Sequence, residues 1–375
     1  MAIWDDYLNE RLDKKREEGL LRSLVTSDGL IDFCSNDYLG LANHPSLKEI
    51  SSTHLSSGST GSRLISGNSK LAEDTESMIA SYHNAEAALL FNTGYMANVG
   101  LFSCIASKDD CFISDEYIHA SIIDGMRLNP AHRFKFRHND MEDMERKLKL
   151  TNGRKFVAVE SIYSMDGDAA PLPEIVELCN RYNAALIVDE AHATGVYGND
   201  GEGLVTQYHL EEFIFARVHT YGKAMGLHGA AVLGSQALRN FLINHARSFI
   251  FSTALPPHLY LQIQKAYKLL PDADREGLFN LINHFGDAIK GIQGLNFIDS
   301  SSPIQGIILG DNQRTISLAN HLIEKGYFMK GILSPTVAKG TERIRICIHS
   351  FNTKEQIDEV VREVKSFAEE NQLIP

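Results

Sequence analysis

Between residues 71 and 260 short apolar runs alternate with segments of helical period. AALLF, CFIS, KFVAVE, AALIVDE, FARVHT and AAVLG are bounded by polar or turn-forming residues and predict strands. Between them LAEDTESMIASYH and LPEIVELCNRY place apolar side chains three and four apart and predict helices. This alternation predicts an α/β fold, a mainly parallel sheet with helices on both faces. Ligands of such sheets bind beyond the carboxyl ends of the strands, so the polar residues that follow each run are the first candidates for chemistry.

The flanks have a different texture. Residues 1–25 predict a charged amphipathic helix packed on the body through Trp4, Leu8, Leu12, Leu20, Leu21 and Leu24. LIDFCSNDYLGL then offers a short strand and the turn formers Asn36, Asp37 and Gly40. Pro256-Pro257 punctuates the second half and precedes the helical stretch HLYLQIQKAYKLL. Beyond residue 300, the strand candidates IQGIILG and RIRICIH and the helices TISLANHLIEKG and EQIDEVVREVKSFAEE predict a smaller α+β unit. The expected organisation is an N-terminal helix and arm over residues 1–45, a large domain over 46–257 and a small C-terminal domain over 258–375.

A length of 375 residues accommodates two domains, and 43% hydrophobic with 22% charged residues excludes disordered and fibrous classes. No apolar stretch reaches the ~18 residues of a membrane span, and the first 25 residues lack a secretory h-region, so a cytoplasmic location is expected. With 36 basic and 48 acidic residues the net charge is -12, which argues against nucleic acid or an anionic membrane as partner. Any anionic ligand must be met by a local site. Cys34, Cys104, Cys111, Cys179 and Cys347 show no CxxC or zinc-ligand spacing and read as buried thiols of a reducing compartment.

AALIVDEAHATGVYG sets Asp189, Glu190 and His192 at a strand's carboxyl end. A DEAH-type ATPase would need GxxxxGK[ST] as well; Gly222-Lys223 is followed by Ala224 and has Arg217 where the first glycine belongs. A metal site would need further ligands, and none stands at HExxH-like spacing, so no metal is expected. Lys223 lies in RVHTYGKAMGLHGAAVLG, directly after a strand and between Gly222 and Gly226. Small neighbours suit a lysine that a planar ligand must approach closely for Schiff-base chemistry. A pyridoxal phosphate site requires such a lysine and an acid for the ring nitrogen, and Lys223 with Asp189 can supply the pair. FNTGYMAN (91–98) joins a strand end to a helix start through Gly94, an arrangement that can hold phosphate. His119 in SDEYIHASIIDG is either an interior histidine or one that stacks on a flat ring.

Ten segments in order, FCSNDYLGLANHP, GSTGSRLISGN, FNTGYMANVG, DEYIHAS, ESIYSMDGDAAPL, IVDEAHATGVYG, HTYGKAMG, FSTALPP, SPIQGIILGDN and PTVAKGTERIRI, resemble those of the α-oxoamine synthases. These are pyridoxal-phosphate enzymes of the aspartate-aminotransferase-like fold, PLP fold type I. The resemblance implies that Lys223 carries the cofactor, that Asp189 meets the ring nitrogen and that His119 lies over the ring. It sets Ser164 and His192 near the phenolic oxygen, and Thr220 with the backbone of Gly94 and Tyr95 around the phosphate. It also implies a homodimer with the site at the interface, Thr253 or, less in keeping with the pattern, Ser252 reaching the neighbouring subunit's phosphate. Arg345 would take the amino-acid carboxylate, with Asn36 beside it, and Arg22 would stand near the acyl chain.

Likeness to the biotin-biosynthesis branch implies a decarboxylating C-acyltransferase that condenses L-alanine with pimeloyl-CoA or pimeloyl-acyl carrier protein. Glycine C-acetyltransferase or serine palmitoyltransferase chemistry would use the same core. Non-catalytic subunits of related synthases lack the lysine that Lys223 supplies. Two features depart from the branch: Leu333-Ser334-Pro335-Thr336 replaces Arg-Pro-Pro-Thr, removing an arginine for the acyl donor, and His349–Asn352 replaces the usual small residues and histidine, which is expected to reshape the entrance.

Overall fold

In the computed structural model, which describes residues 2–49 and 55–373, every apolar run of the central region is a strand. After a short β1 (Ile31–Asp32) come β2 (Ala87–Phe91), β3 (Cys111–Asp115), β4 (His132–Phe136), β5 (Lys155–Glu160), β6 (Ala184–Asp189), β7 (Ile214–Thr220) and β8 (Ala230–Gly234). β2 to β8 form a seven-stranded sheet in the order β2-β8-β7-β6-β5-β3-β4. β3 to β7 pair in parallel, while β8 runs antiparallel to both β2 and β7. β2 and β3 are buried along their whole length, as continuous apolar runs covered on both faces must be. Leu89, Phe112, Ile187, Val218 and Val232 of the sheet pack with Leu101 and Phe102 of the helix Gly94–Cys104 in one core cluster. Each such side chain contributes roughly 1.5–3 kcal/mol by leaving water.

Within the seven-stranded sheet, β4 is the strand that no apolar run predicts. Its HRFKF exposes four of its five residues at the sheet edge, so no apolar run announces it. Basic side chains on such an edge discourage pairing with another chain.

The chain divides into two compact units. The larger comprises Asn36–Ser164 and Asp168–Arg275; the smaller takes the chain up to Ser35, Met165–Gly167 and the chain from Glu276 onward. The larger unit thus extends past residue 257. The helix Pro257–Leu269 buries Leu259, Tyr260, Ile263, Ala266 and Tyr267, and Gln264 Nε2 donates to Thr75 Oγ1 at 2.8 Å. The expected arm over 1–45 is likewise split after Ser35.

In the smaller unit β9 (Asn296–Phe297), β10 (Ile304–Ile308), β12 (Lys330–Ile332) and β13 (Arg343–Cys347) form an antiparallel sheet in the order β12-β13-β10-β9. β11 (Tyr327–Phe328) pairs in parallel with β1. The departure at 349–352 fastens these pieces together: His349 Nε2 lies 3.0 Å from the Ser35 carbonyl oxygen, and Asn352 Nδ2 donates to the Asp32 carbonyl at 3.1 Å. The first helix is Ala2–Glu17, shorter than the expected 1–25; Gly19, at φ +67°, leaves the helical conformation. Trp4, Leu8 and Leu12 are exposed on it rather than packed. No helix among the described residues is long and apolar enough to cross a membrane.

Candidate active site

Parallel registry of β5, β6 and β7 sets Glu160 beside Asp189 and Asp189 beside Val218, so the polar residues ending these strands converge at one edge of the sheet. A cavity of about 260 Å³ lies there, lined by Asp189, Glu160, Thr220, Lys223 and His119 together with the start of the helix Gly94–Cys104. Asp189 is 4% exposed, and its carboxylate is held from two sides. Asn98 Nδ2 donates to Oδ2 at 2.7 Å, and the Ala191 N–H donates to Oδ1 at 2.9 Å. Asn98 is fixed in turn by donating to Ser121 Oγ at 3.0 Å. Gly94, Tyr95 and Asn98 fall on one helical face, which turns all three toward the cavity.

Glu160 is the neighbour that a linear reading misses. It is 2% exposed, lines the same cavity, and its Oε1 has no hydrogen-bond partner among the described residues. Burial, and then the adjacent Asp189, push its pKa well above the usual carboxylate range. Its strand position was visible in KFVAVE; its cross-strand partner was not.

Lys223 sits in a turn after β7. Buried Tyr221, Ala224 and Met225 anchor that turn, and Gly226 N–H donates to the Lys223 carbonyl at 2.8 Å. Gly226 has φ +63°, and a Cβ there would lie 2.1 Å from Ala42 N, so glycine is required. At the helix start Thr93 caps Met96 N–H, leaving Gly94 and Tyr95 N–H groups without intrahelical acceptors. A Cβ on Gly94 would come 2.5 Å from Thr220 Cγ2. Gly94→Ala is therefore expected to displace Thr220 and to weaken binding of a phosphate-bearing ligand about tenfold or more, equivalent to ~1.4 kcal/mol. Titration of the apoprotein with pyridoxal phosphate, followed by absorbance, measures this.

Two histidines have defined faces. His119 Nδ1 accepts the Ser121 N–H at 3.2 Å, which leaves Nε2 as the protonated nitrogen. Desolvation lowers the basicity of His119, against the pull of Asp189, and keeps the ring neutral. Buried His192 holds its Nδ1 2.8 Å from Tyr38 Oη, whose proton goes to Asn36 Oδ1 at 3.0 Å. His192 Nδ1 is accordingly the donor in that pair. Asn36 lines the cavity. Ser164 is buried on the loop after β5, which an ionic cluster pins: His138 lies 3.0 Å from Asp115 Oδ1 and 2.7 Å from Asp168 Oδ2. Burial lowers the pKa of His138, but the bonds to the two carboxylates raise it to about 10.

The remaining expected residues lie elsewhere. Thr253 is exposed and outside this cavity; its carbonyl accepts from Asn92 Nδ2 at 2.9 Å. Arg22 and Arg345 belong to the smaller unit. Arg343, two residues before Arg345, forms an ion pair with Asp166. Among the described residues no cluster of three metal-ligating side chains occurs.

The cavity suits pyridoxal phosphate. Gly94 keeps clear a cradle that a methyl group would fill, an amine and a carboxylate share one wall, and a buried acid oxygen of Glu160 awaits a partner. Lys223 would hold the aldehyde carbon, Asp189 the ring nitrogen, and the start of the helix Gly94–Cys104 the phosphate.

Residues 28–364 match the aminotransferase class I and II family. The chain is 40% identical to 8-amino-7-oxononanoate synthase 2 of Bacillus subtilis strain 168, over 99% of each chain. It is 41% identical to the 8-amino-7-oxononanoate synthase of Emericella nidulans, over 96% of this chain and 95% of that one. A solved serine palmitoyltransferase from S. paucimobilis, with PLP bound, superposes with a TM-score of 0.88 at 26% identity over 98% of each chain. Sequence match, fold and cavity agree, and the chain is a pyridoxal-phosphate-dependent enzyme belonging to the aminotransferase class I and II family.

Proposed function

We propose that the chain condenses L-alanine with a pimeloyl thioester, on coenzyme A or acyl carrier protein, to give 8-amino-7-oxononanoate, carbon dioxide and the free thiol. The observation that carries this reading is the convergence of Lys223, Asp189 and His119 on one cavity in a chain about 40% identical to enzymes named for that product. When bound, pyridoxal phosphate supplies an electron sink for the pair released at the amino-acid α-carbon.

The protein's own groups do the rest. Lys223 Nζ would hold the cofactor through its aldehyde carbon, and as a free amine would take the α-proton of alanine as general base. Asp189, fixed by Asn98 and Ala191, keeps a negative charge where the ring nitrogen lies. His119 would lie over the cofactor ring, and His192 and Ser164 would stand near its phenolic oxygen. Thr220 and the N–H groups of Gly94 and Tyr95 hold the phosphate, joined across a homodimer interface by Thr253. Arg345 pairs with the alanine carboxylate in bidentate fashion, beside Asn36. The α-carbon gains a bond to the acyl carbonyl carbon as the thiol leaves; its carboxylate departs as carbon dioxide, and a proton takes the vacated position. Thioester substrates and five free thiols fit a reducing cytoplasm.

Serine palmitoyltransferase chemistry is the second reading, favoured by the solved structure. Visible spectra of the protein with pyridoxal phosphate, titrated separately with L-alanine, glycine and L-serine, separate the two. A saturable shift tightest for alanine, followed by 8-amino-7-oxononanoate on adding pimeloyl thioester, is expected. Tighter binding of serine or glycine would move the chain to another reaction of the same class.

A further inference from the structure

His138, two residues beyond the edge strand β4, is a half-buried ring held between carboxylates from two different strand ends of the larger unit. Asp115 is the last residue of β3, and His119 follows it four positions later, in the turn that starts the helix Ala120–Arg127. Asp168 stands four positions after Ser164 on the loop that follows β5, where the Tyr163 N–H donates to the Asp168 carbonyl at 3.0 Å. His138 Nδ1 lies 3.0 Å from Asp115 Oδ1, and its Nε2 lies 2.7 Å from Asp168 Oδ2. Each carboxylate is fixed in turn. Asp115 accepts the Tyr117 N–H at 2.8 Å and the Asn139 N–H at 2.9 Å, and Asp168 Oδ2 accepts from Asn139 Nδ2 at 2.7 Å. Tyr117 stacks on the His138 ring with centroids 4.5 Å apart, and Tyr163 meets the ring edge on, also at 4.5 Å. Glu116 Oε1 accepts the His138 main-chain N–H at 3.0 Å, so the acids around this residue come from β3, the turn after it and the loop after β5.

These contacts decide the charge of the ring. A carboxylate accepts hydrogen bonds and donates none, so both ring nitrogens of His138 carry protons, which only the imidazolium provides. The raised pKa of His138 agrees with this. We propose that His138 is a positioning residue: as a cation it ties the turn that leads to His119 to the loop that carries Ser164, and so sets both side chains toward the cofactor. The proposal rests on the assignment of His119 and Ser164 to the cofactor given above. Without the cation two carboxylates share one half-buried place with no charge to offset them, a cost that a neutral hydrogen-bonding side chain does not remove. The turn and the loop would then part, and each would carry its cofactor-facing residue with it. Support of this kind matters because a site residue on a loop is only as well placed as the groups that hold the loop.

Nitrogen NMR of the histidine-labelled wild-type apoprotein at about pH 8, where an ordinary histidine is neutral, should show both ring nitrogens of His138 protonated. The signal is assigned by its absence from His138→Lys. In His138→Gln the affinity of the apoprotein for pyridoxal phosphate should fall roughly three- to thirtyfold, the span expected for one member of a polar network. The pH midpoint of the lysine-bound visible band should also move by about half a unit or more, through Ser164 near the phenolic oxygen. His138→Lys keeps the charge and should restore most of both. A neutral His138 ring in the wild type overturns the proposal. So does a His138→Gln variant that melts earlier but keeps wild-type affinity and midpoint, which is a structural role alone, and so do equal losses in His138→Gln and His138→Lys. Should His138→Gln not fold, His138→Lys decides: wild-type affinity and midpoint support the proposal, and their loss overturns it. Ser164→Ala and His119→Asn variants with wild-type affinity and midpoint would instead fail the assignment of those two residues, on which the proposal stands, whatever the charge on His138.

Discussion

Lys223→Ala is expected to abolish condensation while leaving a folded protein that still binds pyridoxal phosphate. The turn that presents Lys223 is held by buried Tyr221, Ala224 and Met225 and by the Gly226 N–H bond to the Lys223 carbonyl, none of which needs the lysine side chain. Cofactor affinity survives in part, because the Gly94 and Tyr95 N–H groups and the Asp189 carboxylate remain. Catalysis does not survive. A positioned general base alone is worth roughly 10²- to 10⁴-fold, and this amine is also the covalent anchor, so a loss of about 10⁴-fold or more is expected. The checks are a melting curve close to that of the wild type, a spectrum of free aldehyde without the lysine-bound band, and single-turnover kinetics. Full turnover in the variant would remove Lys223 from the mechanism and make His119 the next base to examine.

How far the chain could be read in advance depended on whether a signal was local. The strands around the site were legible because each is a continuous apolar run, and Asp189 and Lys223 because each directly follows one. Glu160 follows one too, at the end of KFVAVE, yet its importance comes from β5 lying next to β6, a pairing no linear pattern encodes. Asn98 was inside the FNTGYMAN segment, but only helical geometry turns it onto the face that reaches Asp189. β4 escaped because edge exposure lets HRFKF carry three basic residues in five. Pro256-Pro257 is a strong local stop, yet the larger unit runs beyond it, because the helix that follows packs back through Tyr260, Ile263 and Tyr267.

Asp189→Asn is the second large effect, and an isosteric partner makes it interpretable. Asp189 accepts from both Asn98 Nδ2 and Ala191 N–H, with both oxygens used. An amide offers one acceptor oxygen and turns an NH₂ toward the other donor, so one buried hydrogen bond is lost at a cost of about 1–3 kcal/mol. The functional loss is larger. A fixed charge aimed at a position where charge develops in a water-poor site is worth about 10²- to 10³-fold, and condensation should fall by at least that much with weaker cofactor binding. Glu160→Gln is the control. Burial and Asp189 favour the protonated form of Glu160, which an amide mimics, so the variant should retain cofactor affinity. Because the folded state raises the Glu160 pKa, its contribution to stability is full below the ordinary carboxylate range and is lost as pH rises through the raised value. Melting of the wild-type apoprotein should therefore decline over that interval, and Glu160→Gln should remove the decline. Equal losses of cofactor affinity in the two variants would mean that the negative charge is shared between the carboxyls; a loss confined to Asp189→Asn assigns it to Asp189.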